Sequence, residues 1–198
     1  MEGIVKKFQS KFSKVREEMS RWDDLQSRFI SQFSNASAII RRLEVLGDRK
    51  YYGCLRGVEG IEDAVLRKQM ESLENISVSI QKTMEEFHGI VLFLEKMVRD
   101  SKQQMRGGSH RLSTKQLQQR IGVKPSVSDC LEGLATLQEM HSSEYRLKSS
   151  VISTLMNVAS KPSATDLGAL RQLLVDQPNI PKDEVKFLFD IIFAEDIA

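Results

Sequence analysis

Proline and glycine are scarce in this sequence, with 4 and 11 residues among 198. Both break helices, so their scarcity argues against a chain built from many turns and short strands. Cysteine is scarcer still, because Cys54 and Cys130 are the only two and lie far apart in sequence. One such pair excludes the dense disulfide framework of small secreted proteins and favours a reducing compartment.

Long apolar runs are also missing. No stretch approaches the roughly 20 apolar residues that a membrane-spanning helix needs. The N-terminal segment MEGIVKKFQSKF lacks the apolar run of a signal peptide. We therefore expect a soluble intracellular protein without a membrane partner.

Neither sign of charge dominates, because 29 lysines and arginines stand against 27 acidic residues and give a net charge of +2. So small a value does not by itself indicate a nucleic-acid-binding protein. The distribution is uneven, with +4, −3, +6 and −5 in residues 1–50, 51–100, 101–125 and 126–198. The most basic segment could contact RNA or an acidic partner. Its candidate contact residues are Lys102, Arg106, Arg111, Lys115, Arg120 and Lys124.

What the sequence does contain is apolar residues at helical spacing. Over Ile4–Leu43 they recur about every 3.5 residues, without a proline. This spacing predicts one long amphipathic helix whose apolar stripe needs a partner, from this chain or from another. Four glycines in Gly47–Gly60 predict a loop, and a second long helix is expected at about Ile61–Gln104. A short loop between two long helices favours an antiparallel hairpin.

The C-terminal half contains a basic linker and three further helical segments. In the linker, Ser113 and Gln116 have the spacing of a capping box. Ser126 is placed to cap a third long helix, and Asp129 lies in the first turn, where a negative charge is favourable. This helix is expected to extend to Ser160. Two short helices should follow, at about Thr165–Val175 and Lys182–Phe193.

Together these segments predict an all-α protein. We expect an elongated antiparallel hairpin that forms a three-helix bundle with coiled-coil character and carries a small C-terminal helical pair. The predicted divisions are the hairpin at 1–105, the basic linker at 106–125, and a C-terminal helical region at 126–198 that packs on the hairpin. A thin bundle buries each long helix on one or two sides only, which leaves apolar surface for another chain.

The residue patterns typical of catalysis are absent from the sequence. His88, His110 and His141 lie on different segments, and none has a second His or Cys at metal-ligand spacing. Gly107-Gly108 lacks the preceding strand and the following Lys-Ser/Thr of a phosphate-binding loop. We therefore expect neither enzyme activity nor a metal or cofactor.

Candidate partner-binding residues come mainly from the stretch LQEMHSSEYRLKSSVISTL, which is Leu137–Leu155. Its apolar face is continuous and its polar face is mixed, so we expect a core wall on one edge and a docking surface on the other. Glu144 and Lys148 are expected to set specificity at the rim of that surface. The only tryptophan could serve as core residue or as interface anchor. The candidates are Trp22, Leu137, Met140, Glu144, Tyr145, Leu147 and Lys148.

Two known families resemble parts of this chain. The pattern L-x-E-M-x-x-x-E-x-x-L-K-x-x-V-x-x-x-L in Leu137–Leu155 is similar to the C-terminal helix of the cyclin-dependent kinase 2-interacting protein (CINP) family, which includes uncharacterised plant homologues. RWDDL at Arg21–Leu25 is similar to part of that family's first helix. In competition, P-S-V-x-D-x-L-E-x-L at Pro125–Leu134 resembles AIRIM, a family of ribosome maturation factors.

Both resemblances imply a non-enzymatic helical adaptor subunit of an AAA+ ATPase complex that acts in large ribosomal subunit maturation. The implied partners are AAA+ ATPase subunits and a second small helical subunit, in nucleus and cytoplasm. The CINP resemblance adds links to DNA replication and checkpoint proteins. Two alternatives remain open. One is a nucleic-acid-associated replication factor that uses the basic linker, and the other is a coiled-coil tether or cytoskeletal scaffold that dimerises through residues 4–43.

Overall fold

A computed structural model describes residues 2–107, 113–120, 122–160 and 167–194. These ranges contain helices and no strand, which confirms the all-α fold class. The helices in chain order are α1 (Glu2–Leu46), the 3₁₀ helix η1 (Arg49–Gly57), α2 (Ile61–Gly107), α3 (Thr114–Gln118), α4 (Val127–Ser160), α5 (Leu167–Asp176) and α6 (Lys182–Ile192).

The helices form two compact units, and the long helices α1, α2 and α4 each contribute residues to both. Unit 1 consists of the described residues of Met1–Asp23, Phe87–Arg146 and Gln177–Ala198. Unit 2 consists of those of Asp24–Glu86 and Leu147–Asp176. Each unit therefore has its own section of three long helices, to which α3 and α6 are added in unit 1 and η1 and α5 in unit 2.

In unit 1, α2 runs antiparallel to α1, because Lys11 Nζ donates to Ser101 Oγ at 2.8 Å while Trp22 packs against Phe87. α4 runs parallel to α1, because Phe12 lies against Gly133 while Trp22 packs against His141. A Cβ on Gly133 would lie 3.3 Å from the Phe12 ring, so this helical glycine allows the ring to pack closely against α4. Each fully buried apolar side chain of this core stabilises it by about 1.5–3 kcal/mol. The largest are Phe8, Phe12, Trp22, Phe87, Ile90, Leu94 and Leu134.

In unit 2, two contacts again show α1 and α2 running antiparallel. Arg28 pairs with Glu86, and Gln32 Nε2 donates to Ser79 Oγ at 2.7 Å. The core is completed by apolar residues of α4 and α5. Its buried members include Phe29, Phe33, Ile40, Leu73, Ile80, Val151, Leu155, Leu167 and Leu174. The α1 stripe predicted from residue spacing is thus covered by helices of the same chain in each unit.

The segment between α1 and α2 is helical, which corrects the prediction of a loop at Gly47–Gly60. Asp48 begins η1 by accepting a hydrogen bond from Lys50 N at 3.0 Å. Tyr52 is buried, and its hydroxyl donates to Leu46 O at 3.0 Å, which holds η1 against the end of α1. Gly53 adopts φ +52°, which is why η1 is kinked at a glycine rather than ended by it.

The predicted helix starts in the C-terminal half are confirmed where the structure describes them. Ser113 Oγ accepts from Gln116 N at 3.3 Å while Gln116 Oε1 accepts from Ser113 N at 2.8 Å, forming the expected capping box of α3. At the start of α4, Ser126 Oγ accepts from Asp129 N and Asp129 Oδ2 accepts from Ser126 N. The predicted start of α5 at Thr165 lies outside the described residues.

Candidate partner-binding groove on α4

A shallow, open groove with a volume of about 470 Å³ runs along α4 in unit 1. Small side chains on α4 keep the helix surface low, and Met140 provides an adaptable apolar contact. A residue of the loop between α5 and α6 forms the facing wall. The lining residues are Ala135, Thr136, Glu139, Met140, Ser143 and Asn179. Such a surface fits an apolar side chain or a helix of another protein.

The loop that carries Asn179 is held in place by Trp22. Trp22 Nε1 donates to Gln177 Oε1 at 2.9 Å, and both side chains are buried. Gln177 has φ +44°, a conformation rarely adopted by residues other than glycine. Its buried hydrogen bond and the turn bond from Ile180 N to Gln177 O at 2.9 Å offset that strain. The wall of the groove is therefore fixed before a partner arrives.

A buried carboxylate on α4 holds the same loop from the other side. Glu144 has 0 % of its surface exposed, and its Oε2 accepts from Asn179 Nδ2 at 3.1 Å and from Asn179 N at 3.3 Å. Two donors on one residue fix both its backbone and its side chain. Glu144 therefore positions a groove residue from inside the core.

Replacing Glu144 with alanine is expected to lower the free energy of unfolding by about 2–4 kcal/mol, because two donors on Asn179 lose a charged acceptor. Glu139→Ala is the matched control, since it makes the same change at an exposed position on the same helix. It should change stability by no more than about 0.5 kcal/mol. Urea unfolding curves of the two variants measure the difference, and equal midpoints would show that Glu144 does not hold the loop.

Aromatic packing fixes α4 beneath the groove. The Trp22 ring meets Phe87 edge-on at 4.5 Å and His141 at 4.7 Å between centroids. His141 Nδ1 lies 2.7 Å from Leu137 O, and because a carbonyl only accepts, Nδ1 carries the proton. Trp22 is therefore a core residue rather than an exposed interface anchor, because 2 % of its surface is exposed.

The structure does not place the predicted α4 candidates on one exposed edge. Leu137 is fully buried and Met140 lies at the groove floor, whereas Tyr145 is half-buried and stacks on His88 at 5.2 Å. Met140 and Tyr145 are five residues apart, so they point about 140° away from each other around the helix. Leu147 is half-buried and belongs to unit 2.

The placement of Glu144 and Lys148 at an exposed rim is wrong, because both side chains have 0 % exposure. In unit 2, Lys148 Nζ donates to Gln26 Oε1 at 2.7 Å and lies 5.7 Å from the centre of the Phe29 ring. Gln26 Nε2 in turn donates to Leu174 O on α5 at 2.7 Å. Lys148 is therefore part of a buried chain of hydrogen bonds that attaches α5 to the bundle.

Sequence reasoning missed most of the groove. Three lining residues have small side chains that neither form nor interrupt a stripe of apolar residues, so no sequence pattern predicts a groove there. They are Ala135, Thr136 and Ser143. Asn179 comes from a loop that is 35 residues from Glu144 in sequence. Only Met140 was both a candidate and a lining residue.

The basic linker is partly neutralised by carboxylates within unit 1. Arg120 Nη2 lies 2.9 Å from Asp129 Oδ2, and Lys124 Nζ lies 2.8 Å from Glu2 Oε1. Hydrogen bonding and charge attraction from Lys124 hold the pKa of Glu2 below its ordinary value. Burial raises the pKa of Asp129, but hydrogen bonds from Ser126 and the Arg120 charge outweigh it and leave that pKa lowered.

The remaining candidate contact residues of the basic segment are either exposed or outside the described residues. Lys102 and Lys115 are exposed. Arg111 and the side chain of Arg106 lie outside the described residues.

The two thiols differ in their surroundings. Burial, with a contribution from the Asp129 charge, raises the pKa of Cys130 to about 12, whereas Cys54 is exposed. At pH 8 a thiol reagent should modify Cys54 rapidly and Cys130 only after denaturation. A colourimetric thiol count with and without urea tests this, and modification of both thiols at one rate would contradict it.

The stability that Cys130 contributes should be intact below pH 9.0 and decline as the pH rises towards 12, since the unfolded thiol then ionises.

No group of His, Cys, Asp and Glu among the described residues could hold a metal ion. No described helix combines the length and apolar character that a membrane crossing requires.

Comparison with known families gives one match that covers nearly the whole chain. The family model described as CA109-like, ribosome biogenesis protein C1orf109-like, matches residues 2–197. This match supports the second of the two resemblances, the AIRIM family, whereas the resemblance to CINP is not confirmed. The comparison with curated proteins gave no match.

Proposed function

Because the chain belongs to the family of C1orf109-like ribosome biogenesis proteins, we propose that it is a non-enzymatic helical adaptor subunit of an AAA+ ATPase complex. The family supports a role in ribosome maturation. Our proposal adds that the complex acts on the large ribosomal subunit, in the nucleus and the cytoplasm. It also adds two partners, the ATPase itself and a second small helical protein.

The α4 groove is the observation that carries this proposal. The loop that faces α4 is fixed by two buried contacts, one from Trp22 to Gln177 and one from Asn179 to Glu144. The lining of the groove is uncharged apart from Glu139, whose carboxylate lies 3.5 Å from Arg146, and it combines the apolar Ala135 and Met140 with polar side chains. A preformed groove of this kind binds a helix with little cost in ordering, which suits a stable subunit contact.

The groove is most suited to the second small helical protein. A helix that lays an apolar residue against Met140 would place its backbone close to the small residues Ala135 and Ser143. Small side chains allow close approach, and burying an apolar side chain there supplies the binding energy. The ATPase would then contact another surface of the chain.

Purification of the tagged full chain from cells at moderate salt, followed by mass spectrometry, tests the proposal. An AAA+ ATPase and a second small helical protein should copurify before and after nuclease treatment, and large-subunit precursors should copurify before it. Recovery of tethering or cytoskeletal proteins instead would contradict the adaptor function. Recovery of replication proteins only through nuclease-sensitive contacts would favour the replication factor.

The two alternatives are less well supported. The replication factor needs an exposed basic linker, but Arg120 and Lys124 are paired with carboxylates. Salt-sensitive binding to a nucleic acid that disappears when Lys102, Arg106, Arg111, Lys115 and Arg120 are neutralised would restore it. The tether needs the α1 stripe for dimerisation, but its aromatic residues are buried within the chain. Sedimentation at several concentrations would reveal such a dimer.

A further inference from the structure

We propose that residues 41–58, named here the 41–58 tip, form a second docking surface whose partner is an acidic protein segment with apolar anchor side chains. The tip comprises the end of α1, η1 and the residues around them, all in unit 2. This proposal goes beyond the adaptor function and does not depend on the α4 groove.

Apolar side chains are exposed at the tip although the backbone there is held in place. Tyr51 is 57 % exposed, Leu55 48 % and Val58 50 %. Tyr52, next in sequence to Tyr51, is buried and bonded to Leu46 O, so η1 is attached to the bundle while its other apolar residues remain outside. Three large apolar side chains that are exposed within eight residues of one hydrogen-bonded segment indicate an interaction surface.

The charge of the tip indicates what its partner should carry. Five of its residues are cationic and two are anionic, which gives a net charge of +3. One anionic residue, Asp48, already lies 2.6 Å from Lys50 Nζ, and hydrogen bonds from Lys50 lower its pKa. Arg41 and Arg42 are exposed near the end of α1. An acidic partner is therefore attracted, whereas a second copy of this tip is repelled.

The types of apolar residue favour a protein partner over RNA. Bases bind to proteins by stacking on aromatic rings, and Tyr51 is the exposed ring of the tip. Leu55 and Val58 are aliphatic, so they offer packing to side chains but no stacking to bases. Tyrosine and arginine are also enriched among the residues that dominate protein interfaces. An anionic membrane would be attracted by the same positive charge, so the experiment also includes anionic vesicles as an alternative ligand.

Fluorescence anisotropy with the full chain can separate these partners. The probe is a labelled synthetic peptide with leucines at helical spacing and Asp or Glu elsewhere. Two further probes are the same peptide with Lys for every acidic residue and a labelled oligouridylate. Vesicles containing phosphatidylserine provide the membrane arm in a flotation assay. We expect saturable binding of the acidic peptide and weaker binding of the other three.

Matched variants locate the binding surface. Val58→Ser at the tip should lower the affinity for the acidic peptide by a factor of about 5–10, the effect of losing one buried apolar contact. Val78→Ser is the control, because Val78 is 52 % exposed and lies about 26 Å along α2 from its start at Ile61. Arg41→Glu and the control Lys82→Glu form the second pair, in which only the first should weaken binding. Circular dichroism confirms that all four variants are folded.

Several results would overturn the proposal. One is no binding of the acidic peptide, and another is equal binding by Val58→Ser and Val78→Ser. A third is stronger binding to oligouridylate or to vesicles than to the peptide. If Arg41→Glu abolished that binding, the tip would be assigned to RNA or to a membrane instead. Because these variants lie in unit 2, they leave the α4 groove intact, and failure here is distinguishable from failure of the adaptor proposal.

Discussion

Replacing Trp22 with alanine should lower the free energy of unfolding by about 3–5 kcal/mol, the range for removing a large buried aromatic side chain. The ring contacts Phe87 and His141, and its nitrogen donates to Gln177. Loss of the side chain therefore opens a cavity in the core of unit 1 and releases the loop that carries Asn179. Urea unfolding measured by circular dichroism gives the magnitude.

Trp22→Phe is the control that separates packing from hydrogen bonding. It keeps most of the aromatic contact but leaves Gln177 Oε1 without the Trp22 donor, so it should cost about 1–3 kcal/mol. Hydrogen exchange should show faster exchange of Ile180 N–H in both variants, since that amide closes the turn at Gln177. If Trp22→Ala unfolded at the same urea concentration as the native chain, the tryptophan would not be the core residue described above.

Replacing Lys148 with alanine should lower the free energy of unfolding by about 3–4 kcal/mol. The side chain is fully buried, so its removal leaves a cavity and deprives Gln26 of a charged donor. Because Gln26 also donates to Leu174 O, the attachment of α5 should weaken as well. Thermal and urea unfolding of the isolated chain measure this effect without any partner present.

Two control variants separate the loss of the buried Lys148 side chain from the loss of its charge and from the effect of removing any lysine. Lys148→Met keeps the length and the apolar stem, so it avoids most of the cavity but still deprives Gln26 of its donor, and it should cost about 1–3 kcal/mol, less than Lys148→Ala. Lys82→Ala, at an exposed position of α2, should stay within about 0.5 kcal/mol of the native chain. Equal stabilities of Lys148→Ala and Lys82→Ala would mean that the ammonium group is in solvent, as the sequence-based prediction had it.

The sequence predicted the helices well because their signals are local. A repeat of about 3.5 residues is read directly from the apolar positions, and the caps at Ser113 and Ser126 depend on residues three positions away. η1 was mistaken for a loop because glycine usually ends a helix, whereas here Gly53 kinks one that Tyr52 holds in place. No local residue pattern predicts that one long helix contributes residues to two compact units either.

The interior polar residues were the least predictable feature. Glu144 and Lys148 were expected at the rim of a docking surface, whereas both side chains are buried. Burying a charge costs several kcal/mol without compensation. Their compensation comes from Asn179 for the carboxylate and from Gln26 for the ammonium group, and neither partner is near in sequence. The groove shares this property, because the contact between Asn179 and Glu144 brings the facing loop to α4.

The most direct test of the adaptor account is whether filling the α4 groove removes a partner. Thr136→Arg and Ser143→Arg together place two long side chains in the groove from half-exposed positions, without entering the core. Gln138→Arg is the control, since Gln138 is half-exposed on another side of α4. Quantitative mass spectrometry should show recovery of the second small helical protein at least about tenfold lower with the double variant, equivalent to about 1.4 kcal/mol of binding energy, and unchanged with the control. Equal recovery with all three chains would contradict the assignment of the groove as the partner-binding site.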